Sequence, residues 1–209
     1  MQNQTVRDGF LFLGDHPALD FLNTKPILHG QQVDLFTDFS TMLRWFVAAG
    51  VLDRSSAKRL ADQWTGTQQG EATLARILAF RESLRSAVLA VESTGKIPRS
   101  AIDQVNVLLR QHPFSFQIAD LGTKVTKKIA FRCTAPEDLI GILADAVADL
   151  LADTDRAQIR KCETCVIHFR DTTKNHARRW CSMQFCGNRA KVAAYAARNR
   201  RRTTRSNKA

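Results

Sequence analysis

Four of the five cysteines, Cys162, Cys165, Cys181 and Cys186, lie within one short segment near the C-terminus. Two residues separate the first pair, four separate the second, and fifteen lie between the pairs. A Cys-x2-Cys turn places two sulfurs about one tetrahedral edge apart, and a second pair at this loop distance completes a zinc site. The spacing therefore predicts one structural Zn²⁺ held by four thiolates, with no open position for water or substrate.

Two disulfides or four free thiols are the alternative use of these cysteines. Metal binding is favoured because the N-terminus does not resemble a signal peptide, so we expect a cytoplasmic protein whose thiols stay reduced. His168 and His176 lie between the pairs and are alternative ligands, although four cysteines already complete a tetrahedron. Cys133 lies apart from the cluster, and we interpret it as a small buried apolar side chain.

The positive charge of the chain is concentrated around and after these cysteines. The whole sequence has a net charge of +11, yet residues 156–209 alone hold 15 Lys and Arg against two acidic residues. Such asymmetry predicts a polyanionic partner, either nucleic acid or an anionic membrane, and a merely solubilising tail is the alternative. No apolar run approaches the ~20 residues that span a bilayer, so we expect no membrane-spanning segment.

Two groups of residues are candidate nucleic-acid contacts, one between the cysteine pairs and one after them. Gly187 is expected to adopt a positive φ, and Asn188 is expected to cap a helix that begins at Arg189. Lys and Arg on this helix would bind phosphates, and one or two Arg could recognise guanine edges. The first group comprises Lys174, Asn175, Arg178 and Arg179, and the second comprises Arg189, Lys191, Tyr195, Arg198 and Arg202.

Each group has a structural alternative. The C-terminal helix could be simply solvated, although alanines opposite the basic stripe predict packing against the rest of the domain; these are Ala193, Ala196 and Ala197. In the first group, Arg178 and Arg179 could diverge, one to solvent and one to Asp171. Trp180 is expected to pack against the metal site, with base stacking as the alternative.

Helical periodicity dominates the remaining chain. Apolar residues recur every three to four positions, and they predict helices over 35–50, 53–64, 74–95, from 98 onward and from 136 over some eighteen residues, with a loop at 65–71. Alternating apolar residues from Phe114 to Phe131 predict a β-hairpin, and the FLFLG segment could add a strand. We therefore predict a mainly α domain with a small antiparallel β-sheet (α+β) at 1–155, followed by a small zinc module with a basic helix at 156–209.

Three polar residues interrupt an apolar run near the N-terminus. Asp20, Asn23 and Thr24 lie among Leu and Phe side chains. Such residues either bond to the nearby backbone or line a pocket for a small ligand, and local bonding is the commoner role.

The segment from Cys162 to Lys191 closely resembles the CGNR zinc-finger family, which is named for the signature present here at Cys186–Arg189. The basic stretch before Cys181 also resembles that family, although Thr173 stands where Ser is common. The N-terminal segments GDHPALDFLNT and LRWFVAAGVL resemble the ABATE-type domain that usually precedes the finger. The resemblance implies a bacterial, stress-induced transcription regulator whose finger binds DNA.

Charge, cysteines and resemblance together predict a two-part regulator. The first part would sense a small molecule or form a homodimer, and the second would bind DNA. A redox-sensitive zinc-thiolate switch and an RNA- or protein-interaction module are the alternatives. The sequence contains no nucleophile–base pair, open His-rich metal site or glycine loop for phosphate, so we do not expect an enzyme.

Overall fold

Helices form most of the N-terminal part, as the periodicity predicts. The computed structural model describes residues 5–28, 31–113, 115–120, 122–130 and 133–206. Within these ranges the helices before residue 155 are α1 (Pro17–Leu22), α2 (Phe39–Ala48), α3 (Arg54–Trp64), α4 (Gln68–Thr94), α5 (Arg99–Gln111) and α6 (Asp138–Asp153). None of the described helices combines the length and apolar character needed to cross a bilayer.

The strands of this part form separate antiparallel pairs. They are β1 (Val6–Arg7) with β2 (Phe10–Leu11), β3 (Ile27–Leu28) with β4 (Gln31–Gln32), and β5 (Ser115–Asp120) with β6 (Val125–Ala130). The β5–β6 pair confirms the predicted hairpin, while Phe114 and Phe131 lie outside the described residues. Asp8 and Gly9 join β1 to β2 with positive φ angles of 49° and 82°, as expected of a two-residue Asp-Gly turn.

The remaining elements belong to the C-terminal module. A 3₁₀ turn (Arg156–Gln158) precedes the antiparallel hairpin of β7 (Ile159–Lys161) and β8 (His168–Arg170). A π turn (Met183–Gly187) then continues directly into α7 (Asn188–Ser206). The structure thus confirms a mainly α fold with small antiparallel sheets and a C-terminal basic helix.

Side-chain caps fix where several helices begin. Asp38, Asp53 and Thr67 each accept a hydrogen bond from a backbone N–H in the first turn of α2, α3 and α4. The cap at Thr67 explains why α4 begins at Gln68, six residues before the predicted start at Leu74. It also shows that the predicted loop at 65–71 is wrong over its second half.

Aromatic rings fill the centre of the N-terminal core. Phe21 is fully buried, and its ring centroid lies 6.2 Å from Phe36, 6.0 Å from Trp45 and 6.3 Å from Phe80. These residues come from α1, α2, α4 and the segment before α2. Rings at such distances add attraction beyond the area they bury, so α1 is held firmly against the longer helices.

Arg81 is a buried cation in the same region. Its guanidinium donates to Thr24 Oγ1 and to Asp34 Oδ1, at 2.9 Å in both cases, and forms an ion pair with Asp34. Because an unpaired buried charge is costly, Asp34 and Thr24 are the groups that make this side chain tolerable inside the core.

Replacing Phe21 with alanine should lower the free energy of unfolding by about 3–5 kcal/mol, because it leaves a cavity among the surrounding aromatic rings. Urea denaturation followed by tryptophan fluorescence measures this loss. The matched control is Leu89→Ala on α4, where Leu89 is 42% exposed, and that change should cost less than about 0.5 kcal/mol. Equal losses in the two variants would contradict this description of the core.

Candidate metal centre and nucleic-acid interface

The turn between β7 and β8 supplies the first two cysteines. The backbone N–H of Cys162 donates to the carbonyl of Ile167 at 2.9 Å, which closes the turn. The N–H of Ile167 in turn donates to the sulfur of Cys165. The turn of the β7–β8 hairpin therefore brings Cys162 and Cys165 close together, and the amide of Ile167 faces the sulfur of Cys165.

A second loop supplies the other two cysteines. Cys181 precedes the π turn and Cys186 lies within it. The carbonyl of Ser182 accepts hydrogen bonds from the N–H groups of Cys186 and Gly187, both at 3.0 Å. The wide π turn thus holds Cys186 over the hairpin, and α7 leaves directly from the metal-binding loop.

Distances between the sulfurs fit a tetrahedral metal site. The four Sγ atoms all lie within 4.8 Å of one another, with 3.7 Å between Cys165 and Cys181 and 3.6 Å between Cys181 and Cys186. Zinc–sulfur bonds of about 2.3 Å give a tetrahedral edge of about 3.8 Å, whereas a disulfide requires about 2.05 Å. The donor set therefore fits one Zn²⁺, and the predicted disulfide alternative does not apply because all these cysteines are free.

The pKa values of the cysteine thiols also favour binding of a cation. Hydrogen bonding from the Cys181 thiol lowers the pKa of Cys165 to about 5. Burial, together with the neighbouring Cys165 sulfur, raises the pKa of Cys186 to about 11. The cluster on its own favours a thiolate at Cys165 and opposes one at Cys181 and at Cys186, so a divalent cation is what would allow these sulfurs to ionise together.

Neither alternative histidine belongs to this cluster. His168 Nε2 lies 3.3 Å from Glu92 Oε2 on α4, and His176 Nδ1 lies 3.0 Å from the carbonyl of Asp171. Cys133 is buried and apart from the other thiols, and burial raises its pKa to about 12. Its interpretation as a small buried side chain is confirmed.

The N-terminal segment completes the core of the metal module. Leu13 packs with three of the cysteines, Ile167 and Phe169 in one buried cluster. The carbonyl of Gly14 accepts from the N–H of Arg170 at 2.8 Å, and Asp15 forms an ion pair with Arg178. The predicted division at residue 155 therefore separates sequence segments that contact each other through packing, a backbone hydrogen bond and an ion pair, which the sequence pattern did not indicate.

The three predicted pocket residues bond to protein groups. Asn23 donates to the carbonyl of His168 at 2.8 Å and accepts from its N–H at 3.0 Å, so its amide pairs with β8 like a neighbouring strand. Thr24 donates to the carbonyl of Phe21 at 2.7 Å. Asp20 accepts from the N–H of Gly14 at 2.7 Å. This geometry favours the structural role over a ligand pocket at these positions.

The two arginines of the basic group between the cysteine pairs contact other residues of the protein. Arg178 donates to the carbonyl of Trp180 at 2.9 Å, lies 4.5 Å above the Phe169 ring and pairs with Asp15. Arg179 forms a two-nitrogen ion pair with Glu163 at 2.6–2.9 Å. The alternative in which one of these side chains pairs with Asp171 does not apply, because only the backbone N–H of Arg178 donates to that carboxylate.

The remaining residues of interest in this loop differ in their exposure to solvent. Lys174 and Asn175 are exposed. Trp180 packs against the cluster that contains the cysteines, which confirms the expected structural role, and the Arg179 guanidinium lies 5.0 Å from its ring. Of the predicted first group, Lys174 and Asn175 are thus the side chains most available to a partner.

The start of the basic helix differs from the prediction. Gly187 is not among the glycines with positive φ, and Asn188 has helical angles of −65° and −41° and does not cap the helix. Ser182 is the capping residue, because its hydroxyl accepts from the N–H of Phe185. A Cβ atom at 187 would lie 2.2 Å from the sulfur of Met183, so a larger residue at this position would displace that exposed methionine side chain.

Arg189 is directed back toward the metal centre. Its Nη2 lies 3.7 Å from Cys186 Sγ and 3.5 Å from the carbonyl of Thr164. A guanidinium at this position stabilises a thiolate and joins α7 to the hairpin. The structure therefore gives this predicted nucleic-acid contact a role in the metal module.

The rest of α7 projects into solvent. Every residue from 191 to 200 is exposed, including Lys191, Tyr195 and Arg198. The expected packing of the opposite face is wrong, because its alanines, Ala193, Ala196 and Ala197, are exposed as well. Arg202 lies within the helix, and its side chain is outside the described atoms.

Comparison with known proteins agrees with this architecture. The model of the ABATE family, described as "putative stress-induced transcription regulator", matches residues 15–154, which is more than half of the chain. The model of the CGNR zinc finger matches residues 158–199. A search of curated proteins finds no match. The two family matches confirm the resemblance and the order of its two parts.

Purified protein should contain about one zinc per chain, measured by elemental analysis. Cys181→Ser should lose most of this zinc, because it removes one of four thiolates at the centre of the site. Cys133→Ser is the matched control and should retain full zinc, since Cys133 lies outside the cluster. Full zinc in Cys181→Ser would contradict the assigned ligand set.

The buried carboxyl of Asp20 should make stability depend on pH. Burial raises its pKa from 3.8 to about 6, so the folded protein keeps a proton that the unfolded chain has already lost. The free energy of unfolding should therefore fall as pH rises from about 4 to about 6. Urea denaturation across this range should show a smaller fall for Asp20→Asn, and parallel curves for the two proteins would contradict the assignment.

Proposed function

The chain belongs to the ABATE family, and from that premise we propose that it is a transcription regulator that binds DNA through α7 and the zinc module. The single observation that carries the proposal is the exposure of α7 on all sides over 191–200. A helix that leaves every face open to solvent and carries basic residues along its length is suited to an external polyanion.

The metal module gives this helix a fixed base. Cys186 lies in the turn that continues into α7, so a zinc ion would hold the first residues of the helix to the hairpin. Arg189 adds a second attachment through the carbonyl of Thr164. With 19 residues, α7 extends about 28 Å from this base.

The charge of α7 favours phosphate binding. Seven of its residues are Lys or Arg and none is acidic. Such a helix would bind duplex phosphates and release their counterions, and Lys174 and Asn175 offer a second contact on the nearby loop. Arg178 is excluded from this surface because Asp15 and Phe169 hold it within the protein.

Helix shape favours DNA over RNA as the partner. The major groove of B-form DNA admits an α-helix, whereas the major groove of A-form RNA is too narrow for side chains to reach its bases. A continuous basic helix is therefore better matched to duplex DNA.

The metal centre would serve structure in this function. Four thiol donors already complete a tetrahedron, which leaves no position at which zinc could activate water or polarise a substrate. We accordingly propose a regulator without enzymatic activity.

The N-terminal domain would supply the regulatory input by binding a small ligand. Its contacts with the zinc module support this role, because Leu13, Asn23 and Glu92 all lie against β8 or the buried cysteine cluster. A change in the position of these residues would reach the base of α7 through a packed core.

The double variant Lys191→Glu/Arg198→Glu should weaken binding to duplex DNA by at least about tenfold. It should also make log Kd depend less steeply on log salt, by about 0.9 for each phosphate that the helix no longer neutralises. Fluorescence anisotropy from about 50 to about 300 mM salt measures both effects. The matched control is Arg76→Glu, an exposed arginine on α4.

Zinc content and circular dichroism should be unchanged in both variants, because all three residues are exposed. Equal weakening in the α7 variant and the control would refute the assignment of α7 as the interface. Tighter binding to structured RNA than to duplex DNA would assign the same helix to RNA.

A further inference from the structure

A groove in the N-terminal domain is lined by none of the cysteines and by none of the residues of α7. It has a volume of about 860 Å³ and opens between the β1–β2 hairpin and helices α2 and α3. This volume lies within the range of small-molecule sites, about 300–1,000 Å³. Its floor is formed by small and medium apolar side chains, namely Leu43, Val47, Ala48, Ala57 and Ala61.

The rim of the groove is cationic. Four basic residues line it, Arg7, Arg44, Arg54 and Lys58, against the single carboxylate of Asp8. Arg44 pairs with Asp8 at 2.7 Å and Lys58 pairs with Asp62 at 2.7 Å, whereas Arg54 has no ion-pair partner among the described residues. An excess of positive charge beside an apolar floor selects a ligand with an anionic group and an apolar body.

We propose that this groove binds a small amphipathic carboxylate, with its anionic group at Arg54 and its apolar body on Leu43, Val47 and Ala57. The guanidinium of Arg54 offers two parallel N–H donors to the carboxylate, and Ser40 adds a hydroxyl on the same rim.

One chain segment joins the groove to the metal module. Asp8, at the tip of the hairpin, lines the groove, pairs with Arg44 and is also attracted by the charge of Arg54. A carboxylate bound at Arg54 would offset that second attraction and repel Asp8. After β2 the chain continues to Phe12, whose ring stacks on Trp45 at 6.2 Å, and then to Leu13 in the buried cysteine cluster. A shift of the hairpin therefore reaches the zinc module within five residues of Asp8.

This connection gives the ligand a regulatory effect on DNA affinity, and that part of the inference rests on the proposed function. A ligand changes DNA affinity only if it binds the two arrangements of the hairpin with different affinity. The coupling must also be reciprocal, so DNA must change the affinity for the carboxylate by the same factor.

Binding is tested with the zinc-loaded full-length protein by isothermal titration calorimetry. The probes are benzoate, naphthalene-2-carboxylate and decanoate. Naphthalene-2-carboxamide is the uncharged control for naphthalene-2-carboxylate. We expect saturable binding of at least one carboxylate, and about tenfold weaker binding of the carboxamide, because it lacks the charge that Arg54 recognises. No saturable binding of any carboxylate at millimolar concentration, or equal binding of the matched pair, overturns the site.

Two matched variants locate the site. Arg54→Gln should weaken carboxylate binding by about tenfold, since it removes the guanidinium but keeps a polar side chain on the helix surface. Arg59→Gln on the same helix is the control, because Arg59 bonds to Ser55 and Ser56 and does not line the groove. Equal effects of the two changes overturn the assignment of Arg54.

The regulatory part has a separate readout. Duplex DNA affinity is measured by anisotropy with and without saturating naphthalene-2-carboxylate, in wild type and in Arg54→Gln. A several-fold change in wild type that is abolished in the variant supports the coupling, and an unchanged affinity in wild type overturns it. If the carboxylate binds but the protein does not bind DNA, the groove is a carboxylate-binding site and the proposed function is wrong.

Discussion

Four sulfur atoms within 4.8 Å of one another cannot all carry negative charge unless a cation lies among them. The organisation of the C-terminal module follows from this constraint. Its apolar cluster is small, and three of its buried members are the cysteines themselves. Metal binding therefore supplies the stability that a larger apolar core supplies in the N-terminal part. Because α7 starts from the loop that carries Cys186, the same sulfur–metal bonds orient the basic helix.

The two parts of the chain are more closely joined than their separate family matches indicate. Leu13 enters the cysteine cluster, and the amide of Asn23 pairs with the backbone of β8. Arg178, which is adjacent to the metal site, pairs with Asp15. For the function proposed above, these shared contacts offer a physical route by which the N-terminal part would affect the zinc module.

Local signals in the sequence were sufficient for most of the longer helices and for the metal ligands, but they did not predict α1 or the first turns of α4. Asp53 begins α3 through a hydrogen bond from the N–H of Ser56, and Gly95 ends α4 with a positive φ angle; both signals involve only neighbouring residues. The spacing of the cysteines likewise predicts a tetrahedral set of four sulfur donors. The partner of Arg178 could not be predicted, because Asp15 is 163 positions away along the chain. The close approach of Gly187 to Met183 was missed for a different reason, since glycine more often serves a positive φ angle.

Because α7 is exposed, the stability of each of its turns depends on the distance of that turn from the metal centre. Isolated helices shorter than about 12–15 residues are only marginally stable in water, and α7 has 19 residues. Its alanines and arginines favour the helix, whereas its many like charges oppose it. The metal-bound loop stabilises the first turns of the helix more than the later ones. Neutralisation by a polyanion would relieve the repulsion most where the arginines are densest, at 200–202, so binding would stabilise the last turns of the helix most.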